Sequence, residues 1–383
     1  MENRQYNRAE LLYSITLFIW LLLSFLRTTC IGTLVGIKKY SKETLYVVLF
    51  LTVLDLILYH KKEMKSFLIL LVCAGFALLA YKRVSLTLAV SLLLIYTAGR
   101  FPFQRLAKRL LIFYSTMVSL TILLMIIGIT EDILFYEDMG ERVRHSLGFT
   151  YCSYASHYML TLTMLYLVVR KTVRVWEIIP IVVVNFVIYC LTDTRADFVL
   201  CILLLLFAAL AGVWGEYFKK EKWYIVPGGL LPLFLLVISY VSAWKADFNL
   251  GIWCKINEML NGRLQLGQSA ILQYGVHLWG EKIEWIGVAQ AAGNPGLPYN
   301  YVDNIYLQTL LSMGVVFTII MCLILGRMFV GSLRQKHTMR AVVIVVFLLH
   351  GLADPQLRSL CYDPFLLLAF SAECDCLYTK RKE

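Results

Sequence analysis

The sequence predicts an all-α integral membrane protein of about twelve transmembrane helices, with one large extracytoplasmic loop between spans nine and ten. Three observations predict it. Hydrophobic residues fill 60% of the 383 positions, mean hydropathy is +0.71 and only 16% of residues are charged; a soluble domain carries about a quarter. Apolar runs of about 14–23 residues recur along the whole chain, and most can cross a bilayer as helices once flanking residues are included. Basic residues crowd into every second link between those runs.

The runs lie near 10–26, 44–59, 66–80, 84–98, 110–129, 151–169, 178–192, 197–213, 225–242, 303–325, 341–354 and 363–378. With the amino terminus inside, 22 of the 36 lysines and arginines fall in short cytoplasmic segments. Lys61, Lys62 and Lys65, then Arg100, Arg105, Lys108 and Arg109, are two such groups. This bias places both termini in the cytoplasm and the protein in the cell membrane. The net charge of +11 is then mainly the anchoring of cytoplasmic links to anionic lipid, with no nucleic-acid partner implied. No cleavable signal sequence is expected. The ten cysteines fall mostly inside apolar runs, as Cys73, Cys190, Cys201 and Cys322 do, and the one close pair is Cys374-Asp375-Cys376. Neither a disulfide framework nor a metal site is expected from them, and no cofactor is implied.

The organisation is one membrane domain in three parts: a nine-span bundle over 1–242, the loop 243–302 and a three-span bundle over 303–383. The smaller outer loop 130–150 is acidic first (Glu131, Asp132, Glu137, Asp138, Glu141) and then basic (Arg142, Arg144, His145). It reads as a solvated hairpin with internal ion pairs, with a part in substrate access as the alternative. The long loop is too long for a connector and too short for an independent core. Within it Leu264, Leu266, Ala270, Ile271, Tyr274 and Leu278 recur mostly at 3- and 4-residue spacing, which predicts an amphipathic helix. A Gly- and Pro-rich turn follows at 287–298, and Asp303-Asn304 then reads as a helix start with an acidic N-cap.

Three arginines fall on the outer side by this topology. Arg195 lies in Thr192-Asp193-Thr194-Arg195, Arg263 in Asn261-Gly262-Arg263 and Arg358 in Asp354-Pro355-Gln356-Leu357-Arg358. Charge at a membrane boundary is costly and points to function. Plainer readings stand beside this one: Arg195 paired with Asp193 or Asp197, Arg263 solvated, Arg358 paired with Asp354 or Asp363.

Thr192-Asp193-Thr194-Arg195 at a span boundary, Asn261-Gly262-Arg263-Leu264, Trp285-Ile286-Gly287, and Tyr301-Val302-Asp303-Asn304-Ile305-Tyr306-Leu307 leading to Met313-Gly314 together resemble the Wzy-type oligosaccharide repeat-unit polymerases. These share a superfamily of polytopic glycosyltransferases with the O-antigen ligases. The resemblance covers roughly 190–325, and beyond it only the span count agrees. It implies a metal-independent membrane glycosyltransferase that joins undecaprenyl-diphosphate-linked oligosaccharide repeats outside the cytoplasmic membrane, making capsule, exopolysaccharide or O-antigen. Chain-length regulator and flippase proteins are the implied partners. Arg195 and Arg263 match arginines that engage the lipid-linked diphosphate, and Arg358 is the third candidate. O-antigen ligases commonly carry histidine where this chain has Asp303.

Arginine suits that task because its planar fork binds phosphate oxygens bidentately and keeps its proton. For the acceptor hydroxyl a general base is needed. Asp303 is one candidate, with a plain N-cap as its other reading; His277 is the second, with a structural loop role beside it. His157 and His350, inside spans, read as hydrogen-bonding other helices. Two other functions remain open: a flippase or transporter of the same lipid-linked units, and a ligase passing the glycan to a different acceptor.

Overall fold

Long apolar stretches must satisfy their own backbone polar groups, so nearly every expected run becomes a helix. The computed structural model describes residues 2–60, 63–137, 142–220, 225–287, 296 and 299–371. In chain order the helices are α1 (Glu2–Leu26), α2 (Cys30–Leu34), α3 (Ser41–Tyr59), α4 (Met64–Arg83), α5 (Leu86–Ala98), α6 (Phe103–Ile126), α7 (Ser153–Arg170), α8 (Val175–Thr192), α9 (Arg195–Lys220), α10 (Ile225–Lys245), α11 (Gly251–Met259), α12 (Arg263–Tyr274), α13 (Ile305–Arg334) and α14 (Thr338–His350). Among the described residues five are long and apolar enough to cross a membrane: Tyr6–Leu26 of α1, α4, α6, α10 and α13. α5, α14 and Trp176–Thr192 of α8 are shorter apolar helices.

The outward faces show what solvent the bundle needs. Only 17% of the most apolar stretch of α4 is buried against protein, and Phe50, Ile57, Leu78, Ile112 and Phe234 all point outward. Apolar side chains on this scale are stable only against lipid. This is an all-α, membrane-embedded protein.

Every expected run except the last coincides with an α-helix. After His350 the chain forms two short 3-10 helices, Pro355–Arg358 and Pro364–Leu368, where a twelfth span was expected over 363–378. Pro364 opens the second of these, and Phe365, Leu367 and Leu368 bury themselves against α5 and α6. Irregular backbone at this depth needs partners. Tyr114 donates to the Cys361 carbonyl at 2.6 Å and Thr161 to that of Tyr362 at 2.7 Å. Residues 372–378, and with them the Cys374/Cys376 pair, lie outside the described residues, as do most of the Gly/Pro turn 287–298 and Asp138 and Glu141 of the smaller loop.

Strands β1 (Leu134–Glu137) and β2 (Arg142–His145) pair antiparallel, Leu134 opposite His145 and Glu137 opposite Arg142. Among its described residues the loop pairs His145 with Asp132 at 2.6 Å, and its arginines reach out to the α8–α9 turn.

α13 is broken at Gly314, which has φ 85° and ψ 173°. The long loop mends the break. Val315 and Val316 donate to the carbonyls of His277 and Leu278 at 3.1 and 3.3 Å, and Glu281 donates to the Leu311 carbonyl at 3.0 Å. A span interrupted in this way is tolerated where protein satisfies the freed groups. The start of α13 also departs from expectation. Asn304, not Asp303, is the N-cap; its side chain accepts from the Leu307 amide at 3.1 Å. The amphipathic helix is α12, which buries Leu264, Gly267, Ala270 and Ile271; Leu278 lies beyond it in the docked loop.

The opposite end of the bundle is tied by ion pairs. Glu10 takes Arg105 at 2.6 Å and Arg109 at 2.8 Å, Glu177 takes Arg170 at 2.5 Å, and Arg100 is paired with Asp55. Asp55 is only 2% exposed. Removing one partner of a buried pair costs about 3 kcal/mol or more, whereas replacing both with apolar groups is near neutral. Asp55→Ala should therefore lower Tm sharply in detergent, and Asp55→Leu with Arg100→Met should recover most of the loss. Equal Tm for the wild type and the single variant would remove this pair from the stability of the bundle.

Candidate functional site

The polar residues gather at the end where α8 stops and α9 begins. The α8–α9 turn needs partners for the last carbonyls of α8. Arg144 donates to the Thr192 carbonyl at 2.8 Å, while Arg142 holds both the Asp193 carboxylate and its carbonyl. Asp193 sits in the left-handed region (φ 45°), which reverses the chain within two residues. α9 therefore starts at once, and Asp197 in its first turn points into the bundle, 2% exposed.

There it meets two histidines. His157 of α7 donates from Nδ1 to Asp197 Oδ2 at 2.6 Å, and its Nε2 lies 2.8 Å from Asp354 Oδ2. His350, the last residue of α14, has Nε2 3.1 Å from Asp197 Oδ1. These last two contacts are ion-pair distances rather than straight hydrogen bonds. The result is an alternating chain, His350–Asp197–His157–Asp354, buried except at Asp354, which is 17% exposed. Tyr362 packs edge-on against His157 with ring centres 6.0 Å apart, and Asp363 is buried within electrostatic reach of Asp354.

The second group comes from the long loop. α12 is seated by Gly267, where an added Cβ would meet Leu307 and Ala243 at 3.1 and 3.2 Å. That close approach sets Arg263, at the start of α12, beside the connector into α13. Its Nε is 3.7 Å from Asp303 Oδ2, and both side chains are about one-third exposed (31% and 29%). Burial pushes the Asp303 carboxyl up to about 6; Arg263 pulls against the rise and Asp354 adds to it. Tyr301 stands among Arg358, Asp354 and Asp303, and burial pushes its hydroxyl up to about 12, so it stays a donor at neutral pH.

Arg358 joins this group to an apolar cleft. Its Nη1 donates to Ser312 Oγ at 3.4 Å. It also lines a cleft of about 370 Å³ between α4, α5, α13 and α14, walled by Leu68, Val72, Phe76, Phe317 and Leu348 among others. Among the described residues of that lining Arg358 alone is charged.

The five residues singled out from sequence are thus not equivalent. Arg263, Asp303 and Arg358 converge through Tyr301 and Asp354. Arg195 is 71% exposed with Asp193 Oδ1 at 3.5 Å, the partner its plainer reading named. His277 has Nε2 3.0 Å from the Tyr274 carbonyl and 3.8 Å from Glu281, and no described contact joins it to the cluster. The histidines and aspartates of the buried chain were missed as site residues. Ionisable residues at four places in or beside spans were a usable signal.

His157, Asp197 and His350 have the make-up of a cation site. Ligand atoms on one tetrahedral ion with 2.0 Å bonds lie about 3.3 Å apart. The aligned 2.6 Å contact from His157 to Asp197 is instead a hydrogen bond. Compared with known proteins, the chain matches no family model, no curated protein and no solved structure.

Proposed function

We propose that this protein is a membrane glycosyltransferase that joins oligosaccharide repeats carried on an isoprenoid diphosphate, working on the outer face of the cytoplasmic membrane. One observation supports this reading above others: Arg358 stands where an apolar cleft meets a polar cluster that also holds Arg263 and Asp303. A lipid diphosphate has that chemistry, an apolar chain ending in two phosphates. A cytoplasmic amino terminus, with the long loop on the outer face, belongs to the same proposal and rests on the distribution of basic residues.

In this reading Arg358 and Arg263 bind the diphosphate and stabilise the charge it gathers as the glycosidic bond breaks. One charge pair at about 4 Å is worth about 4 kcal/mol at an effective dielectric near 20, against about 1 in water. Arg263 gives up Asp303 to do so. Tyr299 and Tyr301, near Asp303, offer hydroxyls and ring faces to sugar. A carboxylate of the site takes the proton of the attacking hydroxyl, and Asp303 and Asp354 are the two within reach.

Purified protein mixed with lipid-linked repeat units should yield a ladder of longer glycans without nucleotide sugar, ATP or added divalent metal, because the glycosyl diphosphate bond supplies the driving force. A second reading is favoured by the buried His–Asp chain, since such chains also serve as proton relays in transporters. Translocation of units in proteoliposomes with no ladder would establish that reading instead. Transfer to a single foreign acceptor without elongation would mark a ligase.

A further inference from the structure

Four side chains from separate parts of the fold build the His350–Asp197–His157–Asp354 chain, and the binding of a diphosphate makes no use of them. Buried ionisable groups are costly and do not persist without a partner or a role. The end of the chain nearest the reacting groups is Asp354.

A carboxylate oxygen only accepts hydrogen bonds. His157 has a carboxylate oxygen at each nitrogen, 2.6 Å from Nδ1 and 2.8 Å from Nε2. Two carboxylates this close favour the doubly protonated imidazolium, so His157 stands as a cation between two anions. Asp197 is fixed in turn, Oδ2 to His157 and Oδ1 to His350. Asp354 thus owns a dedicated cation inside the protein. Asp303 does not, because its partner Arg263 lies 3.7 Å away, part-exposed, and turns to the diphosphate.

We propose that Asp354 is the catalytic carboxylate that accepts the proton of the attacking hydroxyl, and that His157, Asp197 and His350 are positioning residues that keep it ionised. The proposal rests on the glycosyl-transfer reading. The acceptor O–H bond breaks as its oxygen bonds to the anomeric carbon. The bond from that carbon to the diphosphate oxygen breaks, and its electron pair leaves with the diphosphate. The proton rests on Asp354 and passes to water on product release. Asp303, pushed up to about 6 by burial and then deprived of Arg263, gains a proton beside the incoming phosphates. Two carboxylates in one site then take opposite roles because their surroundings differ.

The groups facing Asp354 are His157 and Tyr154 from α7, Asp303 and Tyr301 from the connector before α13, and Asp363 from the C-terminal turn, with Asp197 and His350 behind His157 and Arg358 beyond Tyr301. His157 of α7 contacts Asp354 directly, Nε2 to Oδ2 at 2.8 Å. Removing its charge raises the proton affinity of Asp354, so the base is lost at higher pH than before.

Detergent-purified wild type and variants, assayed on lipid-linked repeat units across about pH 5–9, test this. Asp354→Asn keeps the shape and should lower kcat about 10²–10⁴-fold, with KM within about threefold of wild type. His157→Gln should move the acid limb of kcat to higher pH and regain rate as pH rises; a purely structural role would lower the rate equally at every pH. Wild-type kcat in Asp354→Asn, or an unmoved limb in His157→Gln, overturns the assignment. A second readout is independent of turnover: nitrogen-15 NMR of His157 should show both ring nitrogens protonated in wild type near pH 7. A neutral imidazole there sinks the proposal and leaves glycosyl transfer standing, whereas a wild type without a ladder sinks glycosyl transfer itself. One equivalent of zinc, lost in His157→Gln, would also overturn it by making the cluster a metal site.

Discussion

Arg263→Lys and Arg358→Lys should each lower the rate of glycan elongation about 10²-fold or more at unchanged protein level, the scale seen when one donor to a developing oxyanion is removed. Lysine keeps the charge and loses the planar fork that grips two phosphate oxygens at once. The effect should differ in kind between the two. Arg358 is half-buried at the mouth of the apolar cleft with Ser312 as its near partner, so a shorter, differently shaped head cannot reach both cleft and cluster. Arg358→Lys should therefore raise KM for the lipid substrate as well as lower kcat. Arg263 sits at the first position of α12 opposite Asp303, and Arg263→Lys should act mainly on kcat. Arg195→Lys serves as the internal comparison. Its side chain is 71% exposed beside Asp193, so it should lose no more than about threefold. Equal, large losses in all three would return Arg195 to the diphosphate; full activity in Arg263→Lys and Arg358→Lys would remove the anion site.

That ranking was not legible in the sequence, where the three arginines share only a side of the membrane. What was legible is what depends on local pattern. Apolar length marked α1, α4, α6, α10 and α13, and 3- and 4-residue spacing marked α12 through Leu264, Ala270 and Ile271. The chain end at α13 was read almost correctly. Asp and Asn cap helices about equally well, so nothing local separated Asp303 from Asn304; the approach of Arg263 decides it.

What was not legible shares a cause. His157 and His350 do contact another helix, as the sequence reading has it, but that both meet the same partner, Asp197 on α9, shows in no local pattern. His277 looked useful because histidine is a common general base, yet its place in the fold is set by its carbonyl, which accepts from Val315. The run 363–378 was apolar enough to span, but periodicity cannot tell a span from a buried 3-10 turn when the burying partners are α5 and α6. Contacts between distant segments decide all three cases, and no single stretch of sequence holds them.

The break in α13 gives the largest stability effect. Gly314 has φ 85°, and a Cβ there would lie 2.3 Å from the Gly280 nitrogen and 2.4 Å from the Leu278 carbonyl oxygen, both backbone atoms that cannot swing away. Gly128 has a similar φ of 77° and nothing within 4 Å of the added carbon. Alanine at Gly128 should cost only the left-handed strain, about 1–2 kcal/mol. Alanine at Gly314 adds overpacking against a fixed backbone, for about 3–5 kcal/mol in all. It should also release residues 277–281 from α13, since the carbonyls of His277 and Leu278 lose the amides of Val315 and Val316. α12 and Arg263 precede that anchor in the chain, so activity should fall with it. Thermal unfolding in detergent and limited proteolysis of 275–287 read the two effects separately. A Tm for Gly314→Ala equal to that of Gly128→Ala, with the loop still protected, would mean that the loop does not mend the broken helix and that the site is held by α12 packing alone.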